Sequence, residues 1–111
     1  MKEIKARTGY YLADPNKEHF FKAVKGENIN EEDFIEVPEA SAEYIMEQKA
    51  LNNGEELTYE QQVVALIREK YTSDDETALL RQRDTKPKEF EEYFAYCEEC
   101  KKRVKQKLGM L

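Results

Sequence analysis

Residues 89–106 read EFEEYFAYCEECKKRVKQ and hold the only two cysteines of the chain, Cys97 and Cys100. How those thiols are read decides the fold. A metal clamp would organise a small domain around itself, whereas a packing role makes the segment one long amphipathic helix. A structural zinc takes four ligands, and the chain adds a single histidine, His19, to its two cysteines. One monomer is therefore a ligand short, and only a site shared between chains completes the set. A thioredoxin-type pair places its first cysteine at a helix N-terminus, where the dipole lowers the thiol pKa. Cys97 instead lies several turns inside the predicted helix, and Glu98 and Glu99 between the thiols disfavour a thiolate. Phe90, Tyr93, Phe94, Cys97, Val104 and Leu108 recur at helical spacing, which puts Cys97 in an apolar stripe and Cys100 on its margin. The motif reads as packing.

The same helix carries its charge in order. Glu89, Glu91, Glu92, Glu98 and Glu99 precede Lys101, Lys102, Arg103, Lys105 and Lys107. Acids near the start and bases near the end complement the helix dipole, and Glu98–Lys102 and Glu99–Arg103 are favourable i,i+4 pairs.

Working outward from it, DTKPKE breaks the chain, because a residue before proline is biased away from helical geometry. Ser73 opens SDDE, a Ser-x-x-Glu capping box that predicts a shorter helix over residues 73–83. Thr58 opens TYEQ, a Thr-x-x-Gln box that predicts a helix over residues 58–71. VPEASAEYIMEQKALNNG predicts a further helix, with Pro38 in its first turn and Asn53-Gly54 as a left-handed C-terminal cap. Its apolar stripe is narrow: Ala42, Ile45, Met46 and the stem of Lys49.

The N-terminal third changes character. IKARTGYYLA and EHFFKAVK are rich in aromatic and β-branched residues and flank DPNK, so residues 4–25 read as a β-hairpin. DFIEV supplies a third short strand after the break at Gly26. The fold class expected is α+β: a small N-terminal antiparallel sheet, then a helix, then a three-helix segment. Residues 1–57 form a β-rich lobe with one helix and residues 58–111 a helical lobe, co-folded as one unit. So small a sheet is not stable alone and is expected to pack on helices 58–71 and 87–108.

Composition bounds the function. The 111 residues are 40% hydrophobic, with seven Tyr and five Phe, and 38% charged. That suffices for one core with a strongly solvated surface. The net charge of −6 sits in residues 1–57, while the remainder holds eleven bases and eleven acids. This balance disfavours a phosphate backbone as the main partner. The N-terminus has no apolar signal core and no run approaches a membrane span, so a cytoplasmic protein is expected. His19 is the sole imidazole and reads as a half-exposed strand residue; SDDE reads as a cap; no Gly-rich phosphate loop occurs. No catalytic, cofactor-binding or metal-binding residue is assigned.

Two runs of five apolar residues stand out, VVALI at 63–67 and YFAYC at 93–97. Each is apolar around much of its helix. Either both are sandwiched between the helices and the sheet, or one face is left for another chain. The candidate interface is Val63, Val64, Ile67, Tyr93, Phe94 and Tyr96.

The segment 58–108 resembles the C-terminal part of small prophage-encoded proteins found near tail and tail-fibre genes. LIREKY, DDETALLRQRDTKP and EFEEYFAYCEECK carry that likeness, and DFIEVPEASAEYIMEQKALNNGEEL upstream is similar to a strand–helix segment of tail-fibre assembly proteins. The resemblance implies a non-enzymatic accessory of phage tails or their assembly, acting through protein contacts in the bacterial cytoplasm or within the virion, alone or as a homo-oligomer. It implies no catalytic or cofactor residue. The alternative is a small regulatory protein that binds nucleic acid or a polymerase through the bases at 101–107.

Overall fold

The computed structural model describes residues 2–110. The fold is α+β, with two small antiparallel sheets followed by four α-helices. The hairpin is present but broken. Strands β1 (Lys2–Lys5) and β4 (Ala23–Gly26) pair at its open end, and β2 (Tyr10–Ala13) and β3 (Phe20–Phe21) pair near the turn. Gly9, at φ 87°, bends one arm between the two ladders. Strand β5 (Ile35–Pro38) joins the inner ladder beside β2, giving the order β3-β2-β5.

The turn is held by its aspartate. Asp14 Oδ1 accepts the backbone N–H groups of Glu18 at 2.9 Å and His19 at 2.7 Å. Lys17 takes a positive φ of 56° to make the reversal. Its amine reaches Glu69 at 3.4 Å, tying the turn to the chain just after the second helix.

Helix α1 (Glu39–Leu51) begins directly after β5, with Pro38 as its N-cap and not within its first turn. Its orphan first N–H is taken by the carbonyl of Gly9 at 3.0 Å, one of the four a helix start leaves unpaired. Asn53 and Gly54, at φ 58° and 83°, end it in the left-handed region as the sequence predicts. The sheet packs on α1, not on helices 58–71 and 87–108 as expected. Ala13 and Val37 of the sheet bury against Ala42. The small residues of α1 allow that close approach, so this narrow-striped helix becomes the layer between sheet and helices.

Helix α2 (Tyr59–Ile67) starts at the predicted Thr58–Gln61 box, both bonds of which are formed. Gln61 also bonds Gln48 and Asn52, joining the α2 start to the α1 end. The helix stops at Ile67, short of Tyr71, and its last carbonyls are met by side chains. Ser41 Oγ donates to the Ala65 carbonyl at 2.7 Å, in the interior, and Tyr96 OH donates to the Leu66 carbonyl at 3.1 Å.

Helix α3 (Ser73–Arg81) is capped one residue earlier than predicted, by Thr72 with Asp75. Two adjacent hydroxyls can each cap; Thr72 takes the extended conformation, and Glu76 is left free of the cap. Helix α4 (Pro87–Lys107) runs as predicted from Pro at its first turn. No helix among the described residues is long and apolar enough to cross a membrane.

Candidate contact surface

The core of the helical half lies between α2 and α4. Val63 and Ile67 bury against Cys100 and Val104, ringed by Tyr59, Leu66, Tyr71, Tyr93, Tyr96 and Cys97. The stripe is thus rotated from the expected one. Cys100, at 1% exposure, is central and Cys97 is half-buried, while Phe94 at 54% and Leu108 at 44% point outward. YFAYC offers an apolar residue in every direction, so its phase is set by what α2 presents. Val63 and Ile67 meet the Cys100–Val104 side, and the Tyr96 hydroxyl finds the α2 end.

Burial holds both thiols up from their usual pKa, with Tyr93 and Tyr96 as their hydrogen-bond neighbours. A thiol so placed stays protonated at neutral pH, which suits packing and opposes the thiolate that metal binding or exchange requires. Burial likewise pushes Tyr96 up to about 12, and it raises Tyr93, whose hydroxyl also donates to the Glu76 carboxylate. The same carboxylate pairs with Arg68, whose side chain is only 16% exposed. Arg68, Glu76 and Tyr93 therefore pin α3, a helix with no buried residue of its own, onto α2 and α4. Among the described residues no buried side-chain N or O atom lacks a partner.

The six expected contact residues separate. Val63 and Ile67 are interior, Val64, Tyr93 and Tyr96 are half-buried, and Phe94 is open to solvent. Phe94 stacks on Phe90 with ring centroids 6.5 Å apart, and the Arg83 guanidinium lies 5.9 Å from the Phe90 ring. Leu80 on α3 is 56% exposed. It follows Glu76 by four residues, one helical turn along the side of α3 that meets α4. Arg83, Phe90 and Phe94 thus group where α3 gives way to α4, and Leu80, three residues before Arg83, is a further exposed apolar side chain of α3. Leu80 was missed because DDETALL carries too few apolar residues to set a phase.

Two other arrangements are weaker. The ligand atoms of Asp14, Glu18 and His19 lie within 4.8 Å of one another in the β2–β3 turn. One Asp14 oxygen is committed to the two backbone N–H groups, which already accounts for the grouping, and His19 is exposed and just precedes β3. Backbone donors outweigh the burial cost and hold the Asp14 pKa below its usual value. Open clefts lie between α1 and the start of α3, beside Tyr44 and Arg68, and beside Tyr71, Leu79 and Glu89.

Compared with protein-family models, with curated proteins and with solved structures, the chain matches none.

Proposed function

We propose that this chain is a non-enzymatic accessory of bacteriophage tails or tail assembly, working through protein–protein contact at the corner formed by α3 and α4. The observation that carries the contact reading is solvent exposure of large apolar side chains in a chain with a closed core. Leu80 and Phe94 are each more than half exposed, Phe94 is stacked on Phe90, and large apolar side chains left open near one another commonly mark an interaction site. A guanidinium next to an aromatic pair adds the residue types that dominate interfaces. The phage-tail part rests on the sequence resemblance. Its defining segments LIREKY, DDETALLRQRDTKP and EFEEYFAYCEECK supply the end of α2, all but the first residue of α3 and most of α4, the elements that build the corner.

A photo-crosslinking residue at Leu80, introduced in cells that produce tailed particles, tests this. Adducts with tail subunits that vanish when Arg83→Glu is added support the reading. Particles assembled with no tail adduct overturn it.

A further inference from the structure

The outer side of α4 has a pattern that the monomer does not use. Glu91, Phe94, Glu98, Lys101, Lys105 and Leu108 lie at alternating steps of three and four, which sets them along one side of the helix as a seam of charges with two apolar residues among them. All but Lys105 are exposed, and Lys105 is half-exposed. The core side of α4 is taken by α2, and α3 reaches only its N-terminal half, through Tyr93 and Phe90.

Along this seam the acids come first and the bases last. The helix dipole explains charge only in the first and last turns, whereas the acid-to-base boundary lies in mid-helix, between Glu99 and Lys101. Intrahelical pairing accounts for part of it: Glu98 meets Lys101 at 3.3 Å, a step of three and not the expected four, and Glu99 meets Arg103 at 3.4 Å. Among the described residues Glu91, Glu92, Lys102 and Lys105 have no ion-pair partner within the chain. Local pairing is served equally well by interleaved charges. Segregation along the seam, acids at 91 and 98 and bases at 101 and 105, is matched by a second helix laid in the reverse order.

We propose that a second copy of this chain docks on this side of α4, with the two helices antiparallel about a two-fold axis midway between Glu98 and Lys101. An isologous contact of this kind closes at two chains. Glu98 then faces the second copy's Lys101 on both sides of the axis. Phe94 lies against the aliphatic stem and ammonium of the second copy's Lys105, an arrangement that combines apolar cover with cation–π attraction. The second copy's Leu108 comes beside Glu91 and covers part of the ring of Phe94. The seam from Glu91 to Leu108 is about 26 Å long at 1.5 Å per residue. A parallel pairing would set acid on acid and base on base. The proposal rests on reading α4 as a contact surface and names its occupant; it assigns Phe94 to the second copy and leaves Leu80 and Arg83 for the tail contact.

Charge-swapped full-length chains decide it by sedimentation equilibrium in low salt at about 100 µM, a concentration that populates a dimer with a dissociation constant of about 10 µM or tighter. The wild type is expected to be a dimer that weakens as salt screens the seam. Glu91→Lys/Glu98→Lys makes the seam wholly basic and Lys101→Glu/Lys105→Glu makes it wholly acidic, so each alone is expected to associate at least tenfold more weakly. Three of the four positions are exposed and Lys105 is half-exposed, and unchanged circular dichroism establishes that the variants fold. Mixed one to one, the two variants are expected to form a heterodimer. A monomeric wild type overturns the proposal, and so does a dimer that both variants retain. Neither outcome touches the Leu80 adducts, which read the tail-contact function separately.

Discussion

Replacing Ser41 by alanine removes one oxygen atom from the interior and tests how α2 is ended. Ser41 is 1% exposed, and its hydroxyl donates to the Ala65 carbonyl at 2.7 Å. Glu69 N–H, which would meet that carbonyl if the helix continued, bonds Leu66 instead at 3.1 Å. The serine is thus the carbonyl's donor from outside α2. Alanine leaves almost no void, so the loss is the desolvation of an unpaired buried acceptor, about 1–3 kcal/mol. A domain of this size holds about 5–15 kcal/mol in all. With a urea slope of about 1.5 kcal/mol/M, a loss of about 2 kcal/mol lowers the midpoint by about 1.3 M at unchanged slope. Tyr96→Phe is the matched comparison, because it removes the hydroxyl from the Leu66 carbonyl, which keeps its Glu69 donor. That change should cost only about 0.5–1 kcal/mol. Urea unfolding followed by circular dichroism, at one fixed low protein concentration so that association does not shift the midpoint, reads both. A Ser41→Ala midpoint within about 0.3 M of wild type, or a larger loss in Tyr96→Phe, refutes this account of the α2 terminus.

Two further outcomes follow from the same geometry. Ile67→Asp places a charge at a position 7% exposed in the α2–α4 core and should cost several kcal/mol, enough to abolish cooperative unfolding. Phe94→Asp, at a position 54% exposed, should change stability by less than about 1 kcal/mol; melting curves that rank the two in the opposite order would place the core on the wrong side of α4. The second outcome concerns alkaline pH. Cys97, Cys100, Tyr44, Tyr93 and Tyr96 all have folded-state pKa values above their reference values of 9.0 and 10.0. The unfolded chain therefore releases these protons first, and the stabilisation they contribute is complete well below pH 9, begins to decline near pH 9 as the unfolded thiols ionise, and is lost as pH rises through 10 and beyond. Urea midpoints at pH 7, 9 and 10.5 should fall slightly at pH 9, where the unfolded thiols begin to ionise, and further at pH 10.5; a midpoint that rises there contradicts the burial of these groups.

Much of the local structure was legible. The Thr58–Gln61 box, Pro87 at the start of α4, the Asn53-Gly54 cap and the DPNK turn all appear where the residues put them. Each is specified by atoms within five residues of one another. The exposed apolar side chains were legible only in part. VVALI and YFAYC announced apolar excess, but Val63 and Ile67 proved interior and Leu80 proved open.

What the sequence determined by itself was the fold class, the order of the elements and most of their ends, because caps, turns and periodicity act locally along the chain. What only the tertiary structure decided was orientation. It placed the sheet on α1, made Cys100 and not Cys97 the core thiol, and turned Phe94 outward. A segment apolar on every side has no preferred phase of its own. Its buried face is the one that α2 can fill and whose hydroxyl can reach the Leu66 carbonyl, and that partner lies 30 residues away in the chain.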